Sequence, residues 1–164
     1  MMIQFKSRII VFYLLIIIPV IFLLIYFGGE YMEHKKLAKH MIKVIQICNN
    51  YSWDTYDGLQ GKDFFSPELQ EKYFFKNKDE DRLETLEYDK KMQVVSACKV
   101  DSIKSVDIKE NEAKVDLLMT HTITDINRRT TFSTEATFLL NKNKKDFWII
   151  YDFSYKPHGK NKYL

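Results

Sequence analysis

The longest feature in the pattern of hydrophobic and polar positions is an uninterrupted apolar run near the N-terminus. From Ile9 to Phe27, 19 consecutive residues carry no charge, and all except Pro19 are apolar or aromatic. A helix of this length spans about 29 Å, close to the hydrocarbon thickness of a bilayer. The pattern therefore predicts a cytoplasmic tail over residues 1–8 and a transmembrane helix over residues 9–28, which anchors the chain in the lipid bilayer of the cell membrane.

A cleaved signal peptide is the alternative interpretation of this run. Its apolar core would be about 7–15 residues long and would be followed by a small-x-small cleavage site. Here the run is longer, and no small residue stands two positions before Gly28 or Gly29. We therefore expect the segment to be retained as a single-pass anchor.

The flanking charges bear on the orientation of the anchor. Lys6 and Arg8 precede the run without any acid, which favours a cytoplasmic N-terminus and an extracytoplasmic C-terminal domain. Bases also follow the run and favour the opposite orientation, namely Lys35, Lys36, Lys39 and Lys43. Because large C-terminal domains translocate regardless of their charge, we expect the domain outside.

Helical periodicity follows the anchor. Apolar residues recur at steps of three and four over residues 30–50, which predicts an amphipathic helix that continues from the membrane segment through Gly28-Gly29. Its apolar stripe consists of Leu37, Met41, Val44, Ile45 and Cys48. Ser66-Pro67-Glu68 has the composition of a helix start, with a helix expected to about Phe75. A charged loop is predicted over Asn77–Asp81 and a further helical piece over Arg82–Lys90.

The second half alternates with the period of β-strands. Four strands are predicted, over Val94–Ile108, Ala113–Ile126, Thr130–Leu140 and Phe147–Tyr155. Because the turns between them are short, the strands must be antiparallel neighbours. The pattern predicts an α+β domain over residues 30–156, in which a long helix and shorter helices pack on a curved four-stranded sheet, followed by a flexible tail over residues 157–164.

Composition restricts the partners and the redox chemistry. After the anchor the chain carries 23 basic and 22 acidic residues, a net charge of +1, so there is no electrostatic footprint for nucleic acid. Cys48 and Cys98 allow one disulfide at most, and two buried free thiols are the interpretation we favour.

The layout of elements resembles that of known families. A long helix, shorter helices and a curved antiparallel sheet resemble cystatin-like and nuclear-transport-factor-like domains, including the segments Asp63–Leu69 and Asp146–Phe153. With one membrane helix in front, the chain also resembles bitopic assembly components of type IV secretion and conjugation systems. That resemblance implies a scaffold subunit that contacts other membrane subunits, with a possible homo-oligomer, and not an enzyme.

Candidate chemistry is sparse, and we predict no catalytic, cofactor or metal site. The spacings G-x-G-x-x-G, C-x-x-C and H-E-x-x-H do not occur. His34 and His40 are six residues apart, which places them on different faces of a helix. Cys98 and His121 lie on neighbouring predicted strands, but nothing local marks Cys98 as an activated thiolate. Asp152 is a candidate for a buried acid, because it sits among apolar and aromatic residues such as Trp148 and Phe153. Alternation places it with Trp148, Ile150 and Ser154, so a solvent-facing position at the sheet edge is the alternative.

Three functional hypotheses follow. The first is a membrane scaffold that uses an exposed face of the sheet, or the helix carrying Leu37 and Met41, for contacts. The second is a membrane-anchored ligand-binding or immunity module with a cavity between sheet and helices. The third is an enzyme in which Asp152 lines a pocket. The basic clusters Arg128-Arg129 and Lys142–Lys145 would form one patch only if their turns lie at the same end of the sheet.

Overall fold

In the computed structural model the backbone of residues 2–75 and 78–158 is described, as are the side chains of residues 17–23, 26–74 and 82–158. Helix α1 (Met2–Asn49) contains Pro19 and continues through Gly28 and Gly29. The chain separates into two compact units, Met1–Lys36 and Leu37–Leu164. The sequence assigned residues 157–164 to a flexible tail, but the last strand extends to His158, and residues 159–164 lie outside the described residues. Asn77 of the predicted charged loop also lies outside them.

The N-terminal unit exposes a series of large apolar side chains. Ile18, Phe22 and Phe27 are more than half exposed, at 59%, 72% and 61%. Within the described residues, the stretch Ile17–Asn49 contains a window that is long and apolar enough to cross a membrane by length and composition, and none of that window is buried. The prediction of an apolar N-terminal helix is thus confirmed.

The C-terminal unit contains an antiparallel sheet whose strands follow one another in sequence order. The strands are β1 (Tyr51–Ser52), β2 (Val95–Lys109), β3 (Glu112–Thr124), β4 (Arg129–Lys142) and β5 (Trp148–His158). The four long strands were predicted within a few residues at each end. The predicted number of strands was wrong by one, because β1 is only two residues long and has no alternating pattern to reveal it.

A side-chain hydrogen bond explains the position of β1. Asn50 follows the last residue of α1, and its Oδ1 atom accepts a hydrogen bond from the Cys98 backbone N–H at 2.6 Å. This contact holds the chain beside β2, where Tyr51 and Ser52 pair with Ser96 and Val95.

The core lies between one stripe of α1 and the inner face of the sheet. Leu37 and Met41 are 1% and 0% exposed, and Val44 and Ile45 of the same stripe are also buried. They pack with the inward side chains of β3 and β4, among them Val115, Leu117, Met119, Phe138 and Leu140. Burying a side chain of this size contributes about 1.5–3 kcal/mol. The sheet therefore covers the Leu37 and Met41 face of the helix that was one of the two surfaces expected to contact partners, and Lys39 and Lys43 lie on the side that stays exposed.

Short helical elements connect α1 to the long strands. A 3₁₀ turn (Lys62–Phe64) is followed by α2 (Pro67–Gln70), where Ser66 Oγ accepts from the Leu69 N–H at 3.4 Å, so the predicted cap is confirmed. The helix continues as a π-helical turn (Glu71–Phe75). Helix α3 (Lys78–Met92) begins earlier than predicted and includes most of the expected charged loop.

Candidate functional site

Cys98 and His121 do meet, as the predicted pairing of their strands suggested. The two residues are register partners in β2 and β3, and the Cys98 Sγ atom lies 3.9 Å from His121 Nε2. Burial raises the pKa of the Cys98 thiol to about 11 and lowers the pKa of His121. Both shifts favour the neutral forms, whereas nucleophilic catalysis by a cysteine requires the thiolate.

The second cysteine is also held as a thiol. Cys48 and Cys98 are both free cysteines, in agreement with the interpretation we favoured. Burial raises the pKa of Cys48 to about 12. Gly61, in the left-handed region at φ 78°, packs against Cys48 so closely that an added Cβ would clash with the sulfur atom.

Asp152 is exposed, so of the two positions that the sequence left open, a buried acid and a solvent-facing one, the structure gives the second. The ladder between β4 and β5 shifts register between Leu139 and Leu140, where Tyr151 is the extra residue of a bulge. Before the bulge, Ile150 faces the core; after it, Phe153 does, and Asp152 faces away. The Asp152 Oδ1 atom accepts the Phe153 backbone N–H at 2.9 Å. The bulge therefore separates Asp152 from the face of Trp148 and Ile150, with which simple alternation had placed it.

The histidines show no arrangement suited to a metal ion. His40 lies among Phe64 and Phe147, with ring centroids 5.8 Å and 5.0 Å from its own. Burial lowers its pKa, and a hydrogen bond to the Trp148 backbone opposes that shift only in part. Among the described residues, no group of three or more His, Cys, Asp or Glu side chains is placed to hold a metal.

The two basic turns lie at opposite ends of β4, so they do not form one patch. Arg129 begins β4 and Lys142 ends it, a separation of about 45 Å along a strand of 14 residues. Each cluster also has local acidic or aromatic partners. Arg128 lies 3.5 Å from Asp125, and the Lys142 ammonium lies 5.0 Å from the Trp148 ring centre.

The face of the sheet that points away from the core, here called the outer face, is a hydrogen-bonded polar surface. Asp116 accepts from Ser105 at 2.8 Å and from Thr137 at 2.6 Å, which link β2, β3 and β4. Burial alone would raise the pKa of Asp116, but these bonds outweigh it and lower the pKa. Further pairs are Thr120–Asp101, Thr120–Ser133, Thr122–Thr131 and Glu135–His158. The exposed sheet face expected for partner contacts is therefore present.

A cavity of about 230 Å³ lies between the segment after β1, the π-helical turn and α3. Aromatic walls come from Tyr56, Tyr73 and Phe74, while Arg82, Thr85 and Leu86 supply the α3 side. Aromatic side chains with a few polar groups are typical of small-ligand sites. The sequence predicted a cavity between the sheet and the helices, but none of the described residues that line this one belongs to a strand. Its lining residues were not identified from the sequence, because no local motif marks them.

A buried carboxyl group one turn beyond the cavity residues of α3 was also missed. Asp89 is 6% exposed, and its Oδ2 atom has no hydrogen-bond partner among the described residues. Burial raises the pKa of Asp89. The stacked rings of Tyr51 and Tyr56, 4.1 Å apart, lie nearby, and burial together with the Asp89 charge raises the pKa of Tyr51 to about 12. The surroundings therefore favour the neutral forms of Asp89 and Tyr51. The sequence did not predict a buried carboxyl group here, because Asp89 lies in a helix rich in charged residues.

Comparisons with known proteins give matches at the level of structure. No family model and no curated protein matches the sequence. The fold is similar to the crystal structure of an IcmL-like type IV secretion system protein from Legionella pneumophila, with a TM-score of 0.59 and 9% identity over 76% of this chain and 93% of that chain. It is also similar to a nuclear transport factor 2 (NTF2-like) superfamily protein from Salmonella enterica serovar Typhimurium, with a TM-score of 0.52 and 15% identity over 79% of this chain and 96% of that one. The C-terminal unit therefore has an NTF2-like fold, a curled antiparallel sheet with helices against one face.

Proposed function

We propose that the protein is a non-enzymatic, single-pass membrane scaffold subunit of a conjugative or type IV secretion apparatus. The observation that carries this proposal is the combination of an apolar N-terminal helix with a fold similar to that of an IcmL-like type IV secretion protein. The structural alignment covers 93% of the length of that protein. A scaffold acts through protein contacts, and the outer face offers an ordered polar surface for them.

The site chemistry agrees with a role in binding. Cys98 and His121 are both shifted toward their neutral forms, and Asp152 is exposed. The orientation belongs to the same proposal. Lys6 and Arg8 keep the N-terminus in the cytoplasm, and the C-terminal unit lies on the other side of the membrane.

Genetic complementation combined with co-purification tests this role. In the cell that encodes the chain, deletion should lower DNA or protein transfer, the full chain should restore it, and a chain without residues 1–29 should not. Other membrane subunits of the apparatus should co-purify after cross-linking. Leu118→Arg on the outer face should reduce both readouts, whereas Lys43→Glu on an exposed position of α1 should not. Normal transfer in the deletion strain contradicts the proposal.

A second candidate function rests on the cavity beside α3. The aromatic walls of Tyr56, Tyr73 and Phe74 suit a small apolar molecule or a peptide side chain, as a membrane-anchored ligand-binding or immunity module requires. The fluorescent probe anilinonaphthalene sulfonate should bind saturably to the wild-type chain, and Leu86→Trp, which fills the cavity, should abolish that binding. Equal binding by both proteins eliminates this candidate.

A further inference from the structure

The sheet has two edges, and they differ in how they are protected. At one edge, β1 covers only Val95 and Ser96 of β2. The rest of β2 carries two register shifts, between Val100 and Ser102 and between Ile103 and Ser105. It also carries alternating charges, namely Lys99, Asp101, Lys104, Asp107 and Lys109. Bulges and charges are the devices by which edge strands avoid pairing with another chain.

At the other edge, within the described part of the chain, β5 has backbone partners at its start, and further along the Tyr73 ring lies 5.3 Å from that of Phe153. The Ser66 N–H donates to the Ile150 carbonyl at 2.8 Å, and Phe65 forms a parallel bridge with Ile150. Beyond Ile150, no strand among the described residues pairs with the outer edge of β5. Tyr155 is 49% exposed there, and its ring lies 5.2 Å from that of Phe153. This edge therefore leaves a backbone segment without a strand partner, and it carries two aromatic residues, Phe153 and Tyr155, between the charged residues Asp152 and Lys156.

The free segment Asp152–Lys156 is complementary to itself when reversed. In an antiparallel pair centred on Ser154, Asp152 lies opposite Lys156 of a second copy, and Phe153 lies opposite Tyr155. Opposite charges and aromatic pairs at facing positions both stabilise a ladder. Shifting the centre to Tyr155 would place Phe153 opposite Pro157, which has no N–H to donate, and Lys156 opposite Ser154. The sequence of this segment therefore favours the register centred on Ser154 over the one centred on Tyr155.

From this complementarity we infer that β5 pairs with β5 of a second copy of this chain, antiparallel and with its two-fold axis at Ser154. In the single chain, Asp152 accepts a hydrogen bond from the Phe153 N–H. On pairing, this bond breaks, and the Asp152 carboxylate binds the ammonium group of Lys156 from the second copy instead. The ladder is short, smaller than the roughly 800 Å² per partner that stable soluble complexes bury. Pairing then depends on the high effective concentration of two chains in one membrane, and in this respect the inference rests on the proposed anchor.

Disulfide cross-linking at the two-fold axis tests the register. Ser154→Cys, in the full chain in membranes, should form a disulfide-linked dimer when oxidised with copper phenanthroline. Ser102→Cys is the matched control, an exposed serine on the β2 edge, and should remain monomeric. The wild-type chain, in which Cys98 is buried and Cys48 is half-buried, should remain monomeric as well. A monomeric Ser154→Cys protein, or equal cross-linking at Ser102, overturns the inference.

Charge exchange tests the self-complementarity directly. In the Ser154→Cys background, Asp152→Lys and Lys156→Asp should each lower cross-linking roughly fivefold, because like charges then face each other. When the two variants are co-expressed with different tags, both facing pairs are again Lys with Asp, and cross-linking between the two should return to the level of the parent. No change in either variant, or no recovery in the mixture, contradicts the pairing. Sedimentation of each variant with membranes distinguishes a failed pairing from a failed anchor.

Discussion

Asp152 of β5 lies opposite Leu139 of β4 on the outer face, although Ile150, two residues earlier, lies opposite Leu140 in the core. The extra residue of the bulge, Tyr151, separates the two pairs. We therefore expect Phe153→Ala to lower the free energy of unfolding by about 3–5 kcal/mol, since Phe153 packs against the core. Asp152→Ala should change it by less than about 1 kcal/mol, since only an exposed hydrogen bond is lost. Urea unfolding of the full chain in detergent measures both, and similar values would place Asp152 in the core.

The buried stripe of α1 gives a second prediction. Met41 is 0% exposed, so Met41→Ala should destabilise the protein by about 2–5 kcal/mol through the cavity it creates. Lys43→Ala, two positions away and exposed, should change the stability by about 0.5 kcal/mol or less. Thermal unfolding of the two variants compares them. If Met41→Ala unfolds like the wild type, α1 does not pack on the sheet.

Two glycines with the same backbone conformation should respond differently to substitution. Gly58 and Gly61 both have φ 78°, where any side chain costs about 1–2 kcal/mol. A Cβ at Gly58 meets the flexible Arg82 side chain, but a Cβ at Gly61 meets the sulfur of Cys48, fixed on α1. Gly61→Ala should therefore be more destabilising than Gly58→Ala. Adding Cys48→Gly to Gly61→Ala should relieve the clash with the sulfur atom but not the backbone strain. If Gly58→Ala and Gly61→Ala lower the free energy of unfolding equally, the contact between Gly61 and Cys48 is contradicted.

Stability should fall as the pH is lowered through the range in which histidine titrates. Burial lowers the pKa of both His40 and His121, so the unfolded chain binds protons more readily than the folded one. The free energy of unfolding then decreases below the ordinary histidine pKa of about 6.5, by at most about 1.4 kcal/mol per pH unit for each residue. Once the pH is below the pKa of the histidine in the folded state, both states are protonated, and this histidine no longer lowers the free energy of unfolding.

Substitution isolates each histidine in that pH dependence. His40→Gln and His121→Gln should each have a flatter profile than the wild type between pH 7 and pH 5, measured by urea unfolding. Asp89, whose pKa is raised by burial, is present in every variant, so its contribution cancels in the comparison. Unchanged profiles in both variants would mean that neither imidazole is held neutral.

The elements that sequence predicted best are those with long periodic patterns. The stripe from Leu37 to Cys48 and the alternation in β3 and β4 depend on many residues, and each repeats the same signal. The features that the sequence did not predict each depend on one residue or one contact. The bulge at Tyr151 reverses the faces of Phe153 and Asp152 without any glycine or turn residue to announce it. β1 depends on the contact between Asn50 and Cys98, which are 48 residues apart.

The candidate site shows the same limit. The meeting of Cys98 and His121 follows from strand order, which sequence supplies. Their protonation states follow from burial, which requires the packed structure. The cavity beside α3 brings together Tyr56, Tyr73 and Leu86, residues of three segments with no shared pattern. Asp89 lies in a helix of low hydrophobicity, where a buried carboxyl group is not expected.

We propose that an apolar helix anchors the NTF2-like unit on the outer side of a membrane. Alkaline carbonate extraction of cells that express the full chain, followed by proteinase K digestion of intact spheroplasts, tests it most directly. We predict that the chain stays in the membrane pellet and that the protease removes the C-terminal unit while leaving a short N-terminal fragment protected. Release of the intact chain into the carbonate supernatant, or complete protection of the C-terminal unit, would contradict the account.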